Sequence, residues 1–275
     1  MPQQPVAVLR GFRPLRRVPL IMGILNVTPD SFSDGGRWLD ATAAVGRGRE
    51  MVAEGAAVID VGGESTRPGS RPVPADEEIR RVVPVIEALA GEVRLSIDTT
   101  KPEVARAAVA AGATLLNDIS ASLHETAAEL GVGWVAVHML GSPATMQQAP
   151  HYDDVVAEVA AFLAARAEAA RRAGVEEIWI DPGFGFGKTL DHNLSLLKHL
   201  DVLTDTGVPV LVGTSRKASL GRLLADSDGV PDPVAVDDRL DASIATEVVA
   251  AHLGAQMIRA HDVLAAFQAV KVVAA

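Results

Sequence analysis

The sequence predicts an α/β fold, a single-domain (β/α)8 (TIM) barrel with its active site at the C-terminal ends of the strands. Three observations carry this. Eight short apolar runs recur along 275 residues, alanine-rich helical stretches separate most of them, and nearly every run ends in polar, reactive residues. A polar group placed repeatedly where a buried strand exits is how a parallel barrel collects a site at one rim, and such barrels span roughly 200–400 residues. Strands alternating with helices imply parallel pairing through right-handed crossovers. An open doubly wound sheet is the competing architecture, but it would concentrate polar residues near a switch point.

The first run, Leu20–Asn26, opens a barrel domain over 20–275, with 1–19 read as an N-terminal extension. Arg10, Arg13, Arg16 and Arg17 before Val18–Leu25 mimic a secretion signal. No Ala-x-Ala-like site follows, and cleavage near Asn26 would delete the first strand. Asp40–Glu54 reads as helix, with Gly55 just past its end. Val58–Asp60 is the second run. After Ser65–Arg71 a helix is expected over Val73–Leu89, its early Asp76, Glu77 and Glu78 favoured by the helix dipole. Leu95–Asp98 precedes Lys101-Pro102, a proline suited to a first helical turn, and Gly112 ends that helix. Leu115–Asp118 and Trp134–His138 follow. Asp153–Arg172 is a long amphipathic helix closed by Gly174. Ile178–Asp181 leads through a glycine-rich turn to a helix over Thr189–Leu203. Val210–Ser215 and Met257–His261 complete the strands, with helices over Asp241–Leu253 and Asp262–Val273. Three long connections follow strands on the expected active side: Thr28–Leu39, Ser65–Val73 and Gly141–Tyr152. Long connections in compact domains are uncommon and often functional. Asp226–Asp238, with Pro231, Pro233 and five aspartates, reads instead as a solvated surface excursion.

Composition narrows the function. With 35 acidic and 25 basic residues, the net charge of −10 argues against a nucleic-acid partner. Such a chain can bind an anion only through a local cluster of cations. The absence of cysteine excludes disulfides, thiolate catalysis and Cys-ligated metals. An aromatic share of 4% disfavours base-stacking platforms. No stretch approaches the ~18 continuous apolar residues of a membrane span. A cytoplasmic protein with no membrane partner is expected.

The residues at the strand ends divide by chemistry. Gly213, Lys217, Arg259 and His261 lie at the ends of the seventh and eighth runs, where barrels often build phosphate sites. Gly213 permits close approach, and the other three supply charge and donors. The plainer reading makes Arg216 and Arg259 surface ion-pair partners. Asp98, Asn117 and Asp181 end three further runs, and buried charges without partners are costly. A flat heterocycle with an amidine-like edge would suit an aspartate that accepts two N–H bonds. The alternative for each is a helix cap, and Asp98 before Lys101-Pro102 fits that picture. Asp181–Thr189 superficially resembles a phosphate-binding loop. Its glycines alternate at 183, 185 and 187, however, and Lys188 follows Gly183 by only five positions, so the motif fails. Alternating glycines instead let Phe184 and Phe186 project from a tight backbone, one into the core and one over the site. Zinc is disfavoured because no His-x-His pair exists. Asn26 with two isolated histidines suits oxygen-bound Mg2+ better.

At this point the motifs resemble a known family. Met22-Gly23-Ile24-Leu25-Asn26-Val27-Thr28-Pro29-Asp30-Ser31-Phe32-Ser33-Asp34-Gly35-Gly36 is similar to the first signature of the dihydropteroate synthase family, and Gly62-Gly63-Glu64-Ser65-Thr66-Arg67-Pro68-Gly69 to the second. Ser96-Ile97-Asp98-Thr99, Asn117-Asp118, His138-Met139, Met146-Gln147, Asp181-Pro182-Gly183, Thr214-Ser215-Arg216-Lys217 and Arg259-Ala260-His261-Asp262 follow in family order, from about residue 20 to the C-terminus.

The resemblance implies a transferase of folate biosynthesis that condenses 6-hydroxymethyl-7,8-dihydropterin diphosphate with p-aminobenzoate. It implies a Mg2+ cofactor and a homodimer, in a family that is a target of sulfonamides mimicking p-aminobenzoate. By the same resemblance Asp98, Asn117, Asp181 and Lys217 line a pterin pocket, with Ile119 and Met139 as apolar walls and Arg259 packed on the ring. Asn26, Arg67, Arg259 and His261 hold the diphosphate, with Asn26 on the metal. Thr66, Arg67, Pro68, Phe186 and Lys217 border p-aminobenzoate, and Phe32 and Asp34 arrive on the first loop. Lys217, Asp98, Arg259 and His261 are the implied catalytic group. Two departures stand out: Leu240-Asp241-Ala242-Ser243 where the family often has a glycine before its last long helix, and Ala260 where valine is common. The first bears on the helical surface through which the family usually dimerises. A methyltetrahydrofolate-using relative would share the barrel without needing Ser65–Gly69 or Arg259-x-His261. A non-catalytic pterin binder would not need Asn26, Asp34, Thr66-Arg67-Pro68 and Lys217.

The loops Thr28–Leu39 and Ser65–Val73 are expected to order over the site only after pterin and diphosphate bind, because ligand contacts must offset their ordering entropy. p-Aminobenzoate should therefore bind measurably only when diphosphate is present. Calorimetric titration with and without Mg2+ and diphosphate tests this, and equally tight binding in both cases would sink it.

Overall fold

The structure, a computed structural model, describes residues 18–28, 37–66, 70 and 72–274, with 37–40 described through the backbone alone. In chain order the elements are β1 (Leu20–Asn26), α1 (Arg37–Glu54), β2 (Val58–Gly62), α2 (Ala75–Leu89), β3 (Arg94–Asp98), α3 (Pro102–Ala111), β4 (Leu115–Asp118), α4 (His124–Leu130), β5 (Gly133–Val137), α5 (Val155–Ala173), β6 (Ile178–Asp181), α6 (Leu190–Lys198), α7 (Asp201–Thr204), β7 (Leu211–Val212), α8 (Ala218–Asp228), α9 (Leu240–His252), β8 (Met257–Ala260) and α10 (Val263–Ala274).

The eight strands are parallel, in the order β6-β5-β4-β3-β2-β1-β8-β7. A parallel bridge between Ile180 and Val210 joins the two ends of that order, and the Ile180 N–H donates to the Pro209 carbonyl at 3.0 Å. The sheet thus curls into a barrel, and the open-sheet alternative is excluded.

Two apolar layers hold it. The outward strand faces pack on the helices through Ile21, Leu25, Ile59, Ile97, Leu116, Trp134 and Val212. Inside the barrel Met22, Val58, Leu115, Val135, Trp179, Leu211 and Met257 form a separate plug. Successive side chains along a strand alternate between faces. The residue two positions beyond a plug residue therefore also points inward, nearer the C-terminal mouth. Those residues are Asp60 after Val58, Asn117 after Leu115, Asp181 after Trp179, Gly213 after Leu211 and Arg259 after Met257. An apolar floor under a polar rim follows from the strand period.

Several elements differ in extent from the sequence expectation. α2 starts at Ala75 because Pro74 takes the N-cap and the Val73 N–H is engaged by Glu64 Oε1 at 3.3 Å. The expected long helix over Thr189–Leu203 divides into α6 and α7, since His199 (φ −112°, ψ 34°) leaves helical geometry. The break lets Leu200 and Leu203 both enter the core. β7 retains only two residues, because the backbone turns after Gly213 to reach Arg216 at φ 55°. α4 was not anticipated; α8 contains Arg222, which reads as part of a helical stretch, but no bounds were expected for it. α8 carries Gly221 in its interior, where a Cβ would meet Arg239 Nε at 2.5 Å. Arg239 tethers the segment beyond α8 by donating to the carbonyls of Val234 and Arg216. The first residues of the expected Asp226–Asp238 excursion end α8, and the remainder is largely exposed.

Candidate active site

The polar rim converges on Arg259. Its Nε donates to Asp60 Oδ2 and an Nη donates to Asp98 Oδ2, each at 2.7 Å. Asn117 Nδ2 donates to the same Asp60 oxygen at 2.8 Å. β8, β2, β3 and β4 are thereby tied across the mouth. Burial opposes the charge on Arg259, but Asp60 and Asp98 outweigh it and hold the guanidinium above its ordinary range. Burial pushes the Asp98 carboxyl up to about 7 despite Arg259. Asp98 is therefore a rim residue paired with Arg259 and not a helix cap, and α3 has no side-chain cap.

The rim is incompletely satisfied. Asp60 Oδ1 and Asn117 Oδ1 are buried without a hydrogen-bond partner. Buried polar atoms are nearly always paired, so these two acceptors keep hydrogen-bonding capacity to spare at the rim. Asp181, 6% exposed, accepts the Gly183 N–H at 2.7 Å through Oδ1. Its Oδ2 faces Gly213, where a Cβ would come within 3.9 Å. Gly213 leaves the inward position of the seventh strand open between Asp181 and Arg259. Ile119, Met139 and Phe186 pack on the upper edge of the barrel plug and form apolar walls.

The cations lie on the β7–β8 side. Lys217 Nζ sits 4.0 Å from the centre of the Phe186 ring, and burial and Arg259 push its amine down to about 8. Ser215 Oγ lies 3.1 Å from both the His261 backbone N and its Nδ1. Burial, then Arg259, lowers His261 to about 3, so its imidazole is neutral in the free protein. Arg216 is not part of this cluster. Its positive-φ backbone is held by Ser243 Oγ at 2.9 Å, and its guanidinium makes a bidentate pair with Asp262. Both arginines are ion-paired, Arg216 with Asp262 nearer the surface and Arg259 with Asp60 and Asp98 inside the mouth.

At the exit of β1, Asn26 pairs in register with Gly62, and Gly62 with Asp98. A Cβ at Gly62 would lie 3.6 Å from both Asn26 Oδ1 and Asp98 Cβ, so the glycine keeps these side chains adjacent. Thr66 is half-buried at the start of the second loop. Phe32, Asp34, Arg67 and Pro68 lie outside the described residues. Phe184 is buried in the core and Phe186 faces the site, as alternation of glycines predicts. Asp118 serves structure: its carboxylate accepts the N–H groups of Ser120, Ser122 and Leu123 and the indole N–H of Trp134. Two contributors were not singled out in the sequence. Asp60 ends the second apolar run and could have been found by its place there. Ser215 closes the seventh run in the same way, but its partner His261 is 46 residues away and is not visible locally.

Residues 22–261 match the model of the pterin binding enzyme family. The chain is 50% identical to the dihydropteroate synthase of Mycobacterium leprae over 264 residues, covering 93% of this chain and 92% of the relative. Among solved structures it is similar to Xanthomonas albilineans dihydropteroate synthase with 4-aminobenzoic acid, at TM-score 0.84 and 49% identity, covering 92% and 91% of the two chains. It is also similar to that organism's dihydropteroate synthase in complex with 7,8-dihydropteroate, at TM-score 0.80 and 46% identity, covering 92% of each.

Proposed function

The chain belongs to the dihydropteroate synthase family of pterin-binding enzymes, and from that premise we propose how its own residues carry out the reaction. The reaction joins 6-hydroxymethyl-7,8-dihydropterin diphosphate to p-aminobenzoate, forming 7,8-dihydropteroate and diphosphate in folate biosynthesis. The observation that best supports the assignment of residues is the pair of orphaned acceptors, Asp60 Oδ1 and Asn117 Oδ1, beside Asp181 in one buried mouth. A pterin ring offers a row of N–H groups along one edge. Asp181 takes two of them side by side, and Asn117 and Asp60 complete the edge. Ile119 and Met139 bound the ring faces, with Arg259 and Lys217 above.

The C–O bond to diphosphate ionises first, giving a cation stabilised by the pterin. The amine of p-aminobenzoate then forms the new C–N bond and releases a proton. No protein nucleophile is required. The protein positions the two reactants and stabilises the charge that builds on the leaving group. Arg259, His261 and Arg67 receive the diphosphate, and Thr66, Pro68, Phe186 and Lys217 border p-aminobenzoate. Phe32 and Asp34, from the segment after β1, are assigned to the same pocket.

The residues present fit a Mg2+ ion. Among the described residues no group of three His, Cys, Asp or Glu could enclose a metal. Asn26 supplies one hard oxygen beside Gly62 and Asp98, and Mg2+ commonly takes one or two protein oxygens, several waters and substrate phosphate oxygens. When bound, the ion neutralises negative charge on the diphosphate.

A homodimer is part of the same reading. α9 and α10 border an apolar groove at Leu240, Ile244, Ala265, Ala269 and Val272, with Val249, Leu264 and Val272 exposed nearby. A contiguous apolar patch of this kind favours burial against a second copy. None of the described helices is long and apolar enough to cross a membrane, and we place the enzyme in the cytoplasm.

The reading is tested by following diphosphate release from the dihydropterin diphosphate with and without p-aminobenzoate. Release should depend on p-aminobenzoate and match dihydropteroate formation; release without the second substrate and without product overturns it. The amine of Lys217, lowered to about 8 by burial and Arg259, gives a pH signature. Its charged form is lost as pH rises through that value, so kcat/KM for the dihydropterin diphosphate should fall above pH about 8. Lys217→Arg, whose guanidinium stays charged, should move the alkaline limb upward at a lower plateau. An alkaline limb unmoved in that variant assigns it to another group.

A further inference from the structure

Lys188, the residue that gives the glycine-rich turn its false likeness to a phosphate loop, points inward and is 3% exposed. Its Nζ lies 2.9 Å from His138 Nδ1 and donates to the carbonyls of Gly183 and Phe186, each at 3.0 Å. Burial, reinforced by Lys188, lowers His138 to about 3. Facing a charged Lys188, the neutral ring must accept at Nδ1, which requires the Nε2–H tautomer. With the His138 carbonyl at 3.4 Å as a longer fourth partner, these acceptors can engage all three hydrogens of an ammonium, whereas a neutral amine has only two to give. Burial acts against that charge and brings Lys188 down to about 7. All of its hydrogens are spent on the protein, so none is available to a phosphate.

The groups it holds belong to the site. The Gly183 N–H fixes Asp181 Oδ1, and Phe186 carries the ring beneath Lys217. His138 precedes Met139, a wall of the same mouth. The two segments are built to meet. Gly183 (φ 67°) and Gly187 (φ 64°) approach so closely that a Cβ would overlap the carbonyls of His138 and Leu140 respectively. Tyr152 donates to the Gly187 carbonyl at 3.0 Å, and Gln147 to that of Gly185 at 2.6 Å.

We propose that Lys188 is a positioning residue for the reaction: its ammonium locks the Gly183–Lys188 turn to the His138–Leu140 segment, so that Asp181, Met139 and Phe186 stand as one preformed wall. This rests on the assignment of pterin to Asp181 and p-aminobenzoate to Phe186 given above. Lys188 touches neither substrate and acts through those residues.

The test is Lys188→Met, which keeps most of the stem and removes the donors. Stranded buried acceptors are costly enough that KM for p-aminobenzoate and Kd for pterin should each rise about tenfold. Kd for Mg2+-diphosphate, held on the β7–β8 side, should stay within about twofold, a split that general loss of structure would not give. In a Phe186→Ala background Lys188→Met should have much less additional effect on KM for p-aminobenzoate, since contacting residues acting as one unit are non-additive. A folded Lys188→Met variant with unchanged KM and Kd, an equal loss of diphosphate affinity, or full multiplication with Phe186→Ala each overturns the proposal. If Lys188→Met does not fold, 15N-lysine spectra of the wild-type enzyme decide: the Lys188 ammonium should exchange its hydrogens far more slowly than surface lysines, and surface-like exchange overturns the clamp. Wild-type enzyme that fails to make dihydropteroate would overturn the functional assignment instead, before Lys188 is examined.

Discussion

Asp181→Asn is expected to weaken pterin binding by a factor of about 30 to several thousand, as follows from roughly 2–5 kcal/mol for spoiling one partner of a buried charged pair. Asparagine is the informative substitution because Asp181 Oδ1 also holds the Gly183 N–H at 2.7 Å. An asparagine oxygen can keep that bond while its Nδ2 turns a donor toward the N–H edge of the ring. Asp181→Ala would also lose more than tenfold, but it strands the Gly183 N–H as well and mixes two effects. Calorimetry of pterin binding to the folded variants measures this directly. Unchanged affinity in Asp181→Asn would mean that the ring edge is read by another group.

Arg259→Ala should have the second large effect, and on two properties. Turnover should fall by about 100- to 1000-fold, the usual result of removing one preorganised donor from a developing anion. Stability should also fall, on the order of 3–5 kcal/mol, because Asp60 and Asp98 lose the cation that pairs them. Arg259→Lys should restore part of the stability but less of the turnover, since an ammonium cannot reproduce the fork. Arg222, whose partner is Asp226 one helical turn away, provides the control. Exposed pairs are worth at most about 1 kcal/mol, so Arg222→Ala should leave turnover and diphosphate affinity nearly unchanged. Similar losses from both substitutions would show that overall charge, and not a site, captures the anion.

The barrel was readable because two periodic features coincide: apolar runs mark the strands, and the polar residue closing each run marks the mouth. Asp98, Asn117, Asp181 and Arg259 were found in that way. What escaped depends on partners remote in sequence. Arg216 and Arg259 look equivalent as strand-end cations, but one is taken by Asp262 and the other by Asp60, 199 residues away. Lys188 looked like a failed phosphate loop because its acceptor on His138 lies 50 residues upstream. The bounds of α8 were obscured by Gly221, whose reason is the approach of Arg239 from beyond the helix. The break between α6 and α7 is likewise tertiary, since composition through Lys198–Asp201 carries no glycine or proline. Local pattern reveals which way a side chain points; only the fold reveals what it meets.

The alternation of floor and rim along each strand also bears on how the chain assembles. Parallel strands are joined through distant crossovers, so nothing local sets their register. A slip of one residue would exchange the two faces of a strand. For β2, β4, β6 or β8 it would drive Asp60, Asn117, Asp181 or Arg259 into the apolar layer beneath the helices, where none of their partners lies. An unpaired buried charge is among the most expensive errors a folding chain can make. The rim residues therefore act as alignment marks, penalising misregistered barrels before any ligand is present. Selection that preserves turnover preserves faithful assembly with it.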